Sequence, residues 1–381
     1  MPTEVNRPRR APRADRERGF TLVELMVAVV IGLLTTLVIA QVMLFSEGHK
    51  RTTTSGSDAQ VNGALALYAL QRDIQMAGYG FASSPELIGC PIRARYDGAD
   101  VATGAATPLF PTALVPVVID ASDAQRNSIR VLASSKDTYS VPTRVIAPSY
   151  DPGSMAKKYA FPVNSELGIV GGDLMLAAKD GATPCEVFRV STTPATAQQI
   201  DRKDDETGWN PIGFPTAVYG DGDAVVNLGT LVDNTYAIGA GNTLQQTRFA
   251  LTAAGAPAYT APTDLFQNIV VLQAFYGKDT DGDGSIDVYD QVAPATPADW
   301  RQVLALRVAL VARSAQYEKD EVTTANPLWT VGDAPAMVPA PTDCATGKCV
   351  TLVVDTLADW KHYRYKVFDT VIPLRNMVWK S

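Results

Sequence analysis

A long apolar segment near the N-terminus constrains the fold of this 381-residue chain more than any other feature. Between Phe20 and Phe45 the one charged residue is Glu24. A helix over this segment would be roughly 39 Å long, enough to cross a hydrocarbon core of about 30 Å. We therefore predict one membrane-spanning helix over about residues 20–45.

The residues before this segment indicate its orientation and its processing. Residues 1–19 contain six arginines and only three acidic residues, and an excess of basic residues marks the cytoplasmic side of a membrane helix. An ordinary secretory signal has its small residues after the apolar segment, at the cleavage site. Here Gly19 precedes the segment. Cleavage at this glycine would leave the apolar helix on the mature protein, with the rest of the chain exported.

The run Arg18-Gly19-Phe20-Thr21-Leu22-Val23-Glu24 resembles the type III signal of type IV pilins and the related pseudopilins. The resemblance implies that a prepilin peptidase cleaves between Gly19 and Phe20 and that Phe20 is then N-methylated. It also implies that Glu24 contacts the N-terminal amine of a neighbouring subunit during assembly. An independent argument agrees, because a carboxylate in hydrocarbon is costly and is usually kept for a function, with a partner nearby. The alternative is a plain signal anchor that tolerates one glutamate.

Four further segments resemble the PilW-type minor pilins of type IV pili. They are MAGYG at 76–80, the pair Gly89-Cys90, LRVALVARS at 306–314 and YKVFDTVIPLRN at 365–376. The resemblance implies a minor pilin that is held in the inner membrane with its N-terminus in the cytoplasm and then enters the extracellular pilus near its tip. The partners it implies are other minor pilins, the major pilin, a tip-associated adhesin, the prepilin peptidase and the inner-membrane assembly platform. Pilus assembly, twitching motility, adhesion or DNA uptake would be the functions.

The chain is expected to have three parts. We predict a cleaved leader at 1–19, a long helix at 20–78 and a β-rich periplasmic or extracellular domain at 79–381. The helix has a membrane-spanning half and an amphipathic half. Weak helix propensity at Thr52–Ser57 predicts a kink or a frayed turn between the two halves, and Gly78-Tyr79-Gly80 supplies a stop.

The amphipathic half of the helix is expected to pack against a sheet. Its apolar residues recur at helical spacing in two neighbouring rows, Val61–Leu65–Tyr68 and Leu67–Leu70–Ile74. Residues at this spacing share one side of a helix. We predict that both rows form a single broad buried face.

The residues after about position 80 favour strands. The fold class we predict is α+β, with a pilin-like N-terminal helix packed on an antiparallel β-sheet domain that has long loops. The segment from Trp300 to Ser314 is ambiguous, since WRQV at 300–303 fits a helical turn before the strand continues, and Pro373 favours an edge position or an end for the last strand. A single domain is the simplest organisation, with a boundary near 195–215 as the alternative. The candidate strands are Ser128–Ala133, Asp173–Ala178, Val187–Thr192, Arg248–Thr252, Asn268–Tyr276, Val303–Ser314 and Tyr365–Leu374.

Four cysteines follow the membrane segment, on the side where disulfides form. They allow three pairings. Cys344 and Cys349 enclose a short segment that contains a glycine, which favours a local bridge and leaves Cys90 to pair with Cys185. Closing a loop of about 95 residues would contribute roughly 4–5 kcal/mol. Metal ligation and free thiols are the alternatives.

Residues 279–290, DTDGDGSIDVYD, follow the pattern of a twelve-residue calcium loop. Gly284 falls at the sharp turn, and the ligand positions fall on Asp279, Asp281, Asp283, Ser285 through its carbonyl, Asp287 and Asp290. Two features depart from the pattern: the last ligand is aspartate rather than glutamate, and the flanks are a strand and a proline-rich loop. We predict a structural Ca²⁺ site, with an Asp/Gly turn between strands as the alternative.

Composition and motifs argue against nucleic-acid binding and catalysis. The formal net charge is −7, and removal of the leader's net +3 makes it about −10, whereas nucleic-acid binders present a basic surface. The two histidines, His49 and His362, lie far apart in sequence, and the common phosphate-loop, nucleophile-elbow and zinc-helix motifs do not occur. We predict a non-enzymatic pilus subunit. The alternatives are a minor pseudopilin of a type II secretion system and a signal-anchored exported domain that binds a ligand or hydrolyses a substrate.

Overall fold

A computed structural model of the chain describes residues 19–137, 140–179, 183–191, 196–204 and 208–378. The chain forms two units, Met1–Thr54 and Ser55–Ser381. The leader before Gly19 lies outside the described residues.

The first helix, α1, spans Leu22–Met76. Its segment Leu22–Met43 is long and apolar enough to cross a membrane, and its side chains are exposed, as expected of a helix that hydrocarbon surrounds. The backbone remains helical through Thr52–Ser57, where weak propensity predicts a kink or a frayed turn. The division between the two units falls within this stretch.

The second half of α1 buries a different face from the one we predicted. Val61, Leu65 and Tyr68 are 52%, 49% and 64% exposed, so the prediction that this row is buried is wrong. From the other row, Leu70 and Ile74 are fully buried. Among the described side chains of this half of the helix, the buried ones are Ala59, Gly63, Ala66, Leu70 and Ile74, and Ala77 just after the helix is buried as well.

Small residues occupy the first part of the buried face, at Ala59, Gly63 and Ala66, because the helix lies very close to a sheet there. A Cβ atom placed on Gly63 would lie only 2.2 Å from the ring of Phe368, so no larger side chain fits there without moving that ring. Helical spacing identifies the apolar rows of a helix, but it does not say which row meets the sheet. The close approach at Gly63 selects the row with the least side-chain volume.

The end of α1 is fixed by a left-handed glycine and by two later parts of the chain. Gly78 has φ +78°, a conformation that terminates helices. Its N–H donates to the carbonyl of Leu132 at 2.8 Å. The amide nitrogen of Asn376 donates to the carbonyls of Met76 and Ala77 at 3.3 and 3.0 Å. The predicted stop is confirmed.

The C-terminal unit is built mainly from short strands. In chain order they are β1 Ile92–Arg93, β2 Arg95–Tyr96, β3 Ala99–Asp100, β4 Val117–Asp120, β5 Ser128–Ala133, β6 Thr143–Arg144, β7 Ala160–Pro162, β8 Leu174–Ala178, β9 Cys185–Arg189, β10 Gln199–Asp201, β11 Ala224–Gly229, β12 Val232–Ile238, β13 Thr243–Leu251, β14 Pro257–Tyr259, β15 Thr263–Gln267, β16 Ile269–Lys278, β17 Val288–Asp290, β18 Val303–Arg313, β19 Leu328–Thr330, β20 Ala336–Val338, β21 Thr342–Cys344, β22 Gly347–Thr351 and β23 Tyr365–Pro373. The helical elements after α1 are the 3₁₀ turns Pro85–Leu87 and Trp360–His362 and the short helices α2 Pro297–Arg301 and α3 Arg375–Val378.

The central sheet has the order β20-β17-β16-β18-β23. Strands β16 and β18 are the longest and are almost entirely buried, and they pair antiparallel with Leu272 opposite Leu310. Strand β23 pairs antiparallel with β18 and forms the edge, as Pro373 predicts. Helix α2 contains Trp300 and ends at Arg301, just before β18, so the ambiguous segment begins as a helical turn and continues as a strand.

Two further sheets complete the main framework. One has the order β14-β13-β12-β5-β4, with β15 paired to β13, and the other has the order β1-β9-β8-β11-β6. The first packs with the buried face of α1 in a cluster that includes Leu70, Ile74 and Tyr236. The second lies in a separate cluster around Trp209 and Phe110. Most strand pairs are antiparallel, and β1 with β9 and β17 with β20 are parallel.

Each predicted strand has a counterpart, and the α+β class is confirmed. Strand β5 has the predicted bounds, while β13 begins at Thr243 rather than at Arg248. The part of the predicted strand 187–192 that includes Thr192 lies outside the described residues. Strand β12 was missed because Asp233 and Asn234 have low strand propensity. Tertiary contacts hold both in place, since Arg130 binds Asp233 and Asn234 donates to Asp73.

Gly63→Val should destabilise the protein, because the added side chain must displace Phe368 from the helix. We expect a loss of about 1–3 kcal/mol, the usual cost of overpacking, measured as a lower thermal unfolding midpoint of the full chain in detergent. Ala64→Val, on the exposed side of the same turn, is the matched control. An equal shift in both variants would contradict the close packing at Gly63.

Candidate functional site

Glu24 lies in a capping box at the start of α1. Its Oε2 accepts hydrogen bonds from the backbone N–H and the hydroxyl of Thr21, both at 3.0 Å. The hydroxyl of Thr21 in turn accepts from the N–H of Glu24 at 3.3 Å. Thr21 is the residue before the helix and Glu24 is its third residue, the two positions that satisfy free N–H groups reciprocally. The T-x-x-E spacing of Thr21 and Glu24 is the sequence signal of this capping box.

The capping box leaves Glu24 able to bind a second partner. Both bonds from Thr21 fall on Oε2, and the side chain is exposed. Gly19 and Phe20 precede the helix in an irregular segment, and Phe20 is 87% exposed. The peptide bond between them is therefore accessible, and removal of the residues before Phe20 would keep the Thr21–Glu24 pair intact.

The four cysteines form two disulfides, Cys90–Cys185 and Cys344–Cys349. This is the pairing that the sequence favours. The first bridge joins the segment after α1 to strand β9 across 95 positions of sequence, and the second closes the β21–β22 hairpin across five. Cys90 and Cys185 are fully buried. The long-range bridge therefore ties the end of the helix to the second sheet.

Removal of the two disulfides should have unequal effects. Loop-closure entropy grows with the logarithm of loop length, so replacing Cys90 and Cys185 by serine should cost about 2–3 kcal/mol more than replacing Cys344 and Cys349. The measurement is chemical denaturation of the two double variants of the full chain beside the wild type. Equal losses of stability would contradict this account.

The acidic loop brings three of the predicted calcium ligands together. One carboxylate oxygen from each of Asp279, Asp281 and Asp283 lies within 4.8 Å of the others. Asp279 is nearly buried and accepts from the N–H groups of Gly282 and Gly284 at 2.7 and 2.9 Å. Gly284 has φ +88°, as the sharp turn requires. Carboxylate oxygens on a tight loop are the ligands that Ca²⁺ prefers.

The structure does not bring the last two predicted ligands to this cluster. Asp287 accepts from the N–H and hydroxyl of Thr280, both at 2.7 Å, and these bonds lower the pKa of its carboxyl. Asp290 forms an ion pair with Lys278, with Nζ 2.7 Å from Oδ1. Asp290 lies in β17 beside the end of β16, where Lys278 is. The signal that could have shown this is Lys278 itself, which immediately precedes the loop.

Three tyrosines donate hydrogen bonds to carboxylates that the sequence does not point to, and of these Tyr219 and Tyr236 are buried and Tyr259 is half-buried. The hydroxyl groups of Tyr219 and Tyr259 donate to Glu186 at 3.1 Å and to Asp233 at 2.5 Å. The hydroxyl of Tyr236 donates to Asp73, on the second half of α1. Burial and the neighbouring carboxylate raise the pKa of each tyrosine. These side chains therefore stay un-ionised, and each links two parts of the chain through its hydrogen bond to a carboxylate.

A groove of about 620 Å³ lies between the exposed row of α1 and strands β12, β13 and β15. Its apolar walls include Leu65, Tyr68 and Phe266, and Tyr236 and Arg248 provide polar groups. The groove exists because the bulky row of the helix points away from the central sheet.

Comparison with known protein families agrees with the N-terminal and C-terminal motifs. The prokaryotic N-terminal methylation motif matches residues 15–40. The family of type IV pilus-assembly protein W matches residues 233–376. The segments MAGYG and Gly89-Cys90 lie outside both ranges. Neither a search of curated proteins nor a search of solved structures gave a significant match.

The methylation motif, the apolar helix that follows it and the mostly β domain define a type IV pilin-like protein, anchored in the membrane by that helix before it enters a pilus. Proteins of these pilus families are structural. The match over residues 233–376 then identifies the chain as a PilW-type minor pilin, processed by a prepilin peptidase and associated with other components of the type IV pilus.

Proposed function

We propose that this minor pilin belongs to the complex that initiates the pilus and remains at its tip. Its partners there are other minor pilins, the major pilin and a tip-associated adhesin, and the inner-membrane assembly platform inserts it. In this position it supports pilus assembly, twitching motility and adhesion, and it acts as a filament subunit rather than as a catalyst. The observation that carries the proposal is the combination of a prepilin motif with a PilW-type C-terminal region.

Processing at Gly19–Phe20 prepares the subunit for assembly. Prepilin peptidase cleaves the accessible bond, and Phe20 becomes the methylated N-terminus. The apolar helix then moves from the bilayer into a bundle of similar helices. Glu24, held by Thr21 through Oε2, accepts the N-terminal amine of a neighbour, which offsets the cost of a carboxylate in an apolar environment.

Glu24→Ala should leave the protein in the membrane and reduce its incorporation into pili by about tenfold or more, the effect of losing at least about 1.4 kcal/mol of pairing energy. The measurement is the ratio of the protein in sheared pili to that in membranes. Gln41→Ala, which removes another exposed polar side chain from the same helix, is the control and should assemble normally. Normal incorporation of Glu24→Ala would contradict the assembly role.

Mass spectrometry of purified pili tests the processing site and the type of machinery together. The expected result is a mature protein that begins at methylated Phe20. Intact precursor in living cells would overturn the proposed processing. A gene deletion that stops protein secretion but leaves surface pili intact would instead favour a minor pseudopilin of a type II secretion system.

We also propose that the acidic loop binds a structural Ca²⁺ ion. The fit is supported by the convergence of Asp279, Asp281 and Asp283 and by the tight turn at Gly284. The carbonyl of Ser285 and water molecules would complete the coordination, since Asp290 is occupied by Lys278. The ion would supply positive charge that holds three carboxylates together in the loop between β16 and β17.

Calcium should raise the thermal unfolding midpoint of the full chain, and a chelator should reverse the effect. At a calcium concentration about 100 times the dissociation constant, the expected gain is about 2.7 kcal/mol. Asp281→Ala should abolish the response. Asp221→Ala, in the other Asp-Gly-Asp run, should retain it. An unfolding midpoint that is the same with and without the chelator would contradict calcium binding by this loop.

A further inference from the structure

A buried carboxylate in the C-terminal unit binds a lysine and an asparagine at once. Oδ2 of Asp173 accepts from Nζ of Lys136 at 3.1 Å and from Nδ2 of Asn227 at 3.0 Å. Asp173 and Asn227 are 6% and 3% exposed, and the Lys136 side chain is 17% exposed. A simple ion pair requires only the lysine and the carboxylate. The third member is an amide, which contains an acyl group and shares the acceptor Oδ2 of Asp173 with the lysine amine.

The hydrogen bonds of Asn227 polarise this amide. Its Oδ1 accepts from the N–H of Gly229 at 2.9 Å, which draws electron density away from Cγ. Its Nδ2 donates to the carboxylate of Asp173. In an attack on Cγ by an amine, Nδ2 would be the leaving group, and the carboxyl group of Asp173 can give it a proton. One carboxylate therefore touches both the nucleophile and the leaving group.

The local fold of β11 positions these groups. The pairing of β11 with β8 shifts register between Asn227 and Gly229, and a bulge of this kind redirects a side chain. Gly229 has φ +61°, and a Cβ atom there would lie 3.0 Å from Cδ of Lys136 and 2.4 Å from Oγ of Ser135. Only glycine lets the lysine stem lie so close to this strand.

The segment that carries Lys136 is itself fixed to β11. The hydroxyl of Ser134 donates to the carbonyl of Asn227 at 2.8 Å, and the N–H of Ser135 donates to the carbonyl of Leu228 at 3.1 Å. The side-chain hydroxyl of Ser134 and the backbone N–H of Ser135 thus fix the segment just before Lys136 to the strand that carries Asn227. Such prior orientation is the main requirement for an intramolecular reaction.

We propose that Lys136 and Asn227 form an intramolecular isopeptide bond, with Asp173 as the group that transfers protons. The ammonium of Lys136 gives a proton to Asp173, and the neutral amine attacks Cγ of Asn227. The Nζ–Cγ bond forms and the Cγ–Nδ2 bond breaks. Nζ loses two protons in all: one reaches Nδ2 through Asp173, so that ammonia leaves, and the other converts that ammonia to ammonium. The carboxylate is regenerated, and no oxidant or cofactor is needed.

The bond would join two sheets that hydrogen bonds and the Lys136–Asp173 ion pair now connect at this point. Lys136 follows β5 in one sheet, and Asn227 lies in β11 of the other. This inference is independent of the function proposed above, since it depends only on the contacts within the C-terminal unit.

Peptide mapping of the full mature protein, purified in detergent and reduced, tests the proposal without any variant. The expected result is a peptide containing Lys136 covalently joined to one containing Asn227, lighter than their sum by the mass of one ammonia. Recovery of both peptides as separate species at full mass would overturn the proposal.

Matched variants identify the chemistry. Lys136→Arg keeps a cation beside Asp173 and Asp173→Asn keeps its shape, and both should abolish the joined peptide. Lys158→Arg is the control, because Lys158 pairs with Asp204, a carboxylate shared with Arg202 rather than with an amide, and it should retain the joined peptide. A loss of ammonia that persists in Lys136→Arg would indicate that Asn227 reacts with its own backbone, and would overturn the proposal.

Discussion

The close contact between α1 and the central sheet determines how the rest of the C-terminal unit is arranged. At Gly63 the helix meets Phe368 without an intervening side chain, and the neighbouring buried positions Ala59 and Ala66 are small as well. Since the small face meets the sheet, the bulky row that includes Leu65 and Tyr68 is left outside. That row borders the groove along β12, β13 and β15, so its apolar side chains stay exposed instead of joining the core cluster that contains Leu70 and Ile74.

At the start of the helix, the side chain of Glu24 is suited both to capping the helix and to the contact that the prepilin motif implies. In the isolated subunit Glu24 satisfies the free N–H of Thr21 and completes a capping box. A carboxylate that already has two donors is less costly in an apolar environment than a bare one. Because both donors fall on Oε2, a neighbouring amine could bind without disrupting the cap. The role implied by the prepilin motif and the local role in helix capping are therefore compatible.

Structural features that depend on neighbouring residues can be predicted from this sequence. Features that depend on contacts between residues far apart in the sequence cannot. The membrane helix, its stop at Gly78 and the strand Ser128–Ala133 follow from apolar runs and turn residues, and the structure confirms them. The buried face of α1 could not be predicted, because it depends on Phe368, which lies far away in sequence. The calcium motif was read from its spacing alone, so the ion pair of Asp290 with Lys278 went unnoticed.

Buried carboxylates connect the short strands of the C-terminal unit, since such strands supply few ladder hydrogen bonds. Glu186 accepts from the backbone N–H groups of Thr216 and Ala217, and Asp233 accepts from Arg130 and Tyr259. Guanidinium and phenol donors contain no acyl group that an amine could attack, and the cations paired with Glu186 and Asp233 are arginines rather than a lysine. Asp173 differs, because its donors include an amine and a polarised side-chain amide. Glu186 and Asp233 therefore only hold strands together, whereas Asp173 holds an amine and an amide that can react with each other.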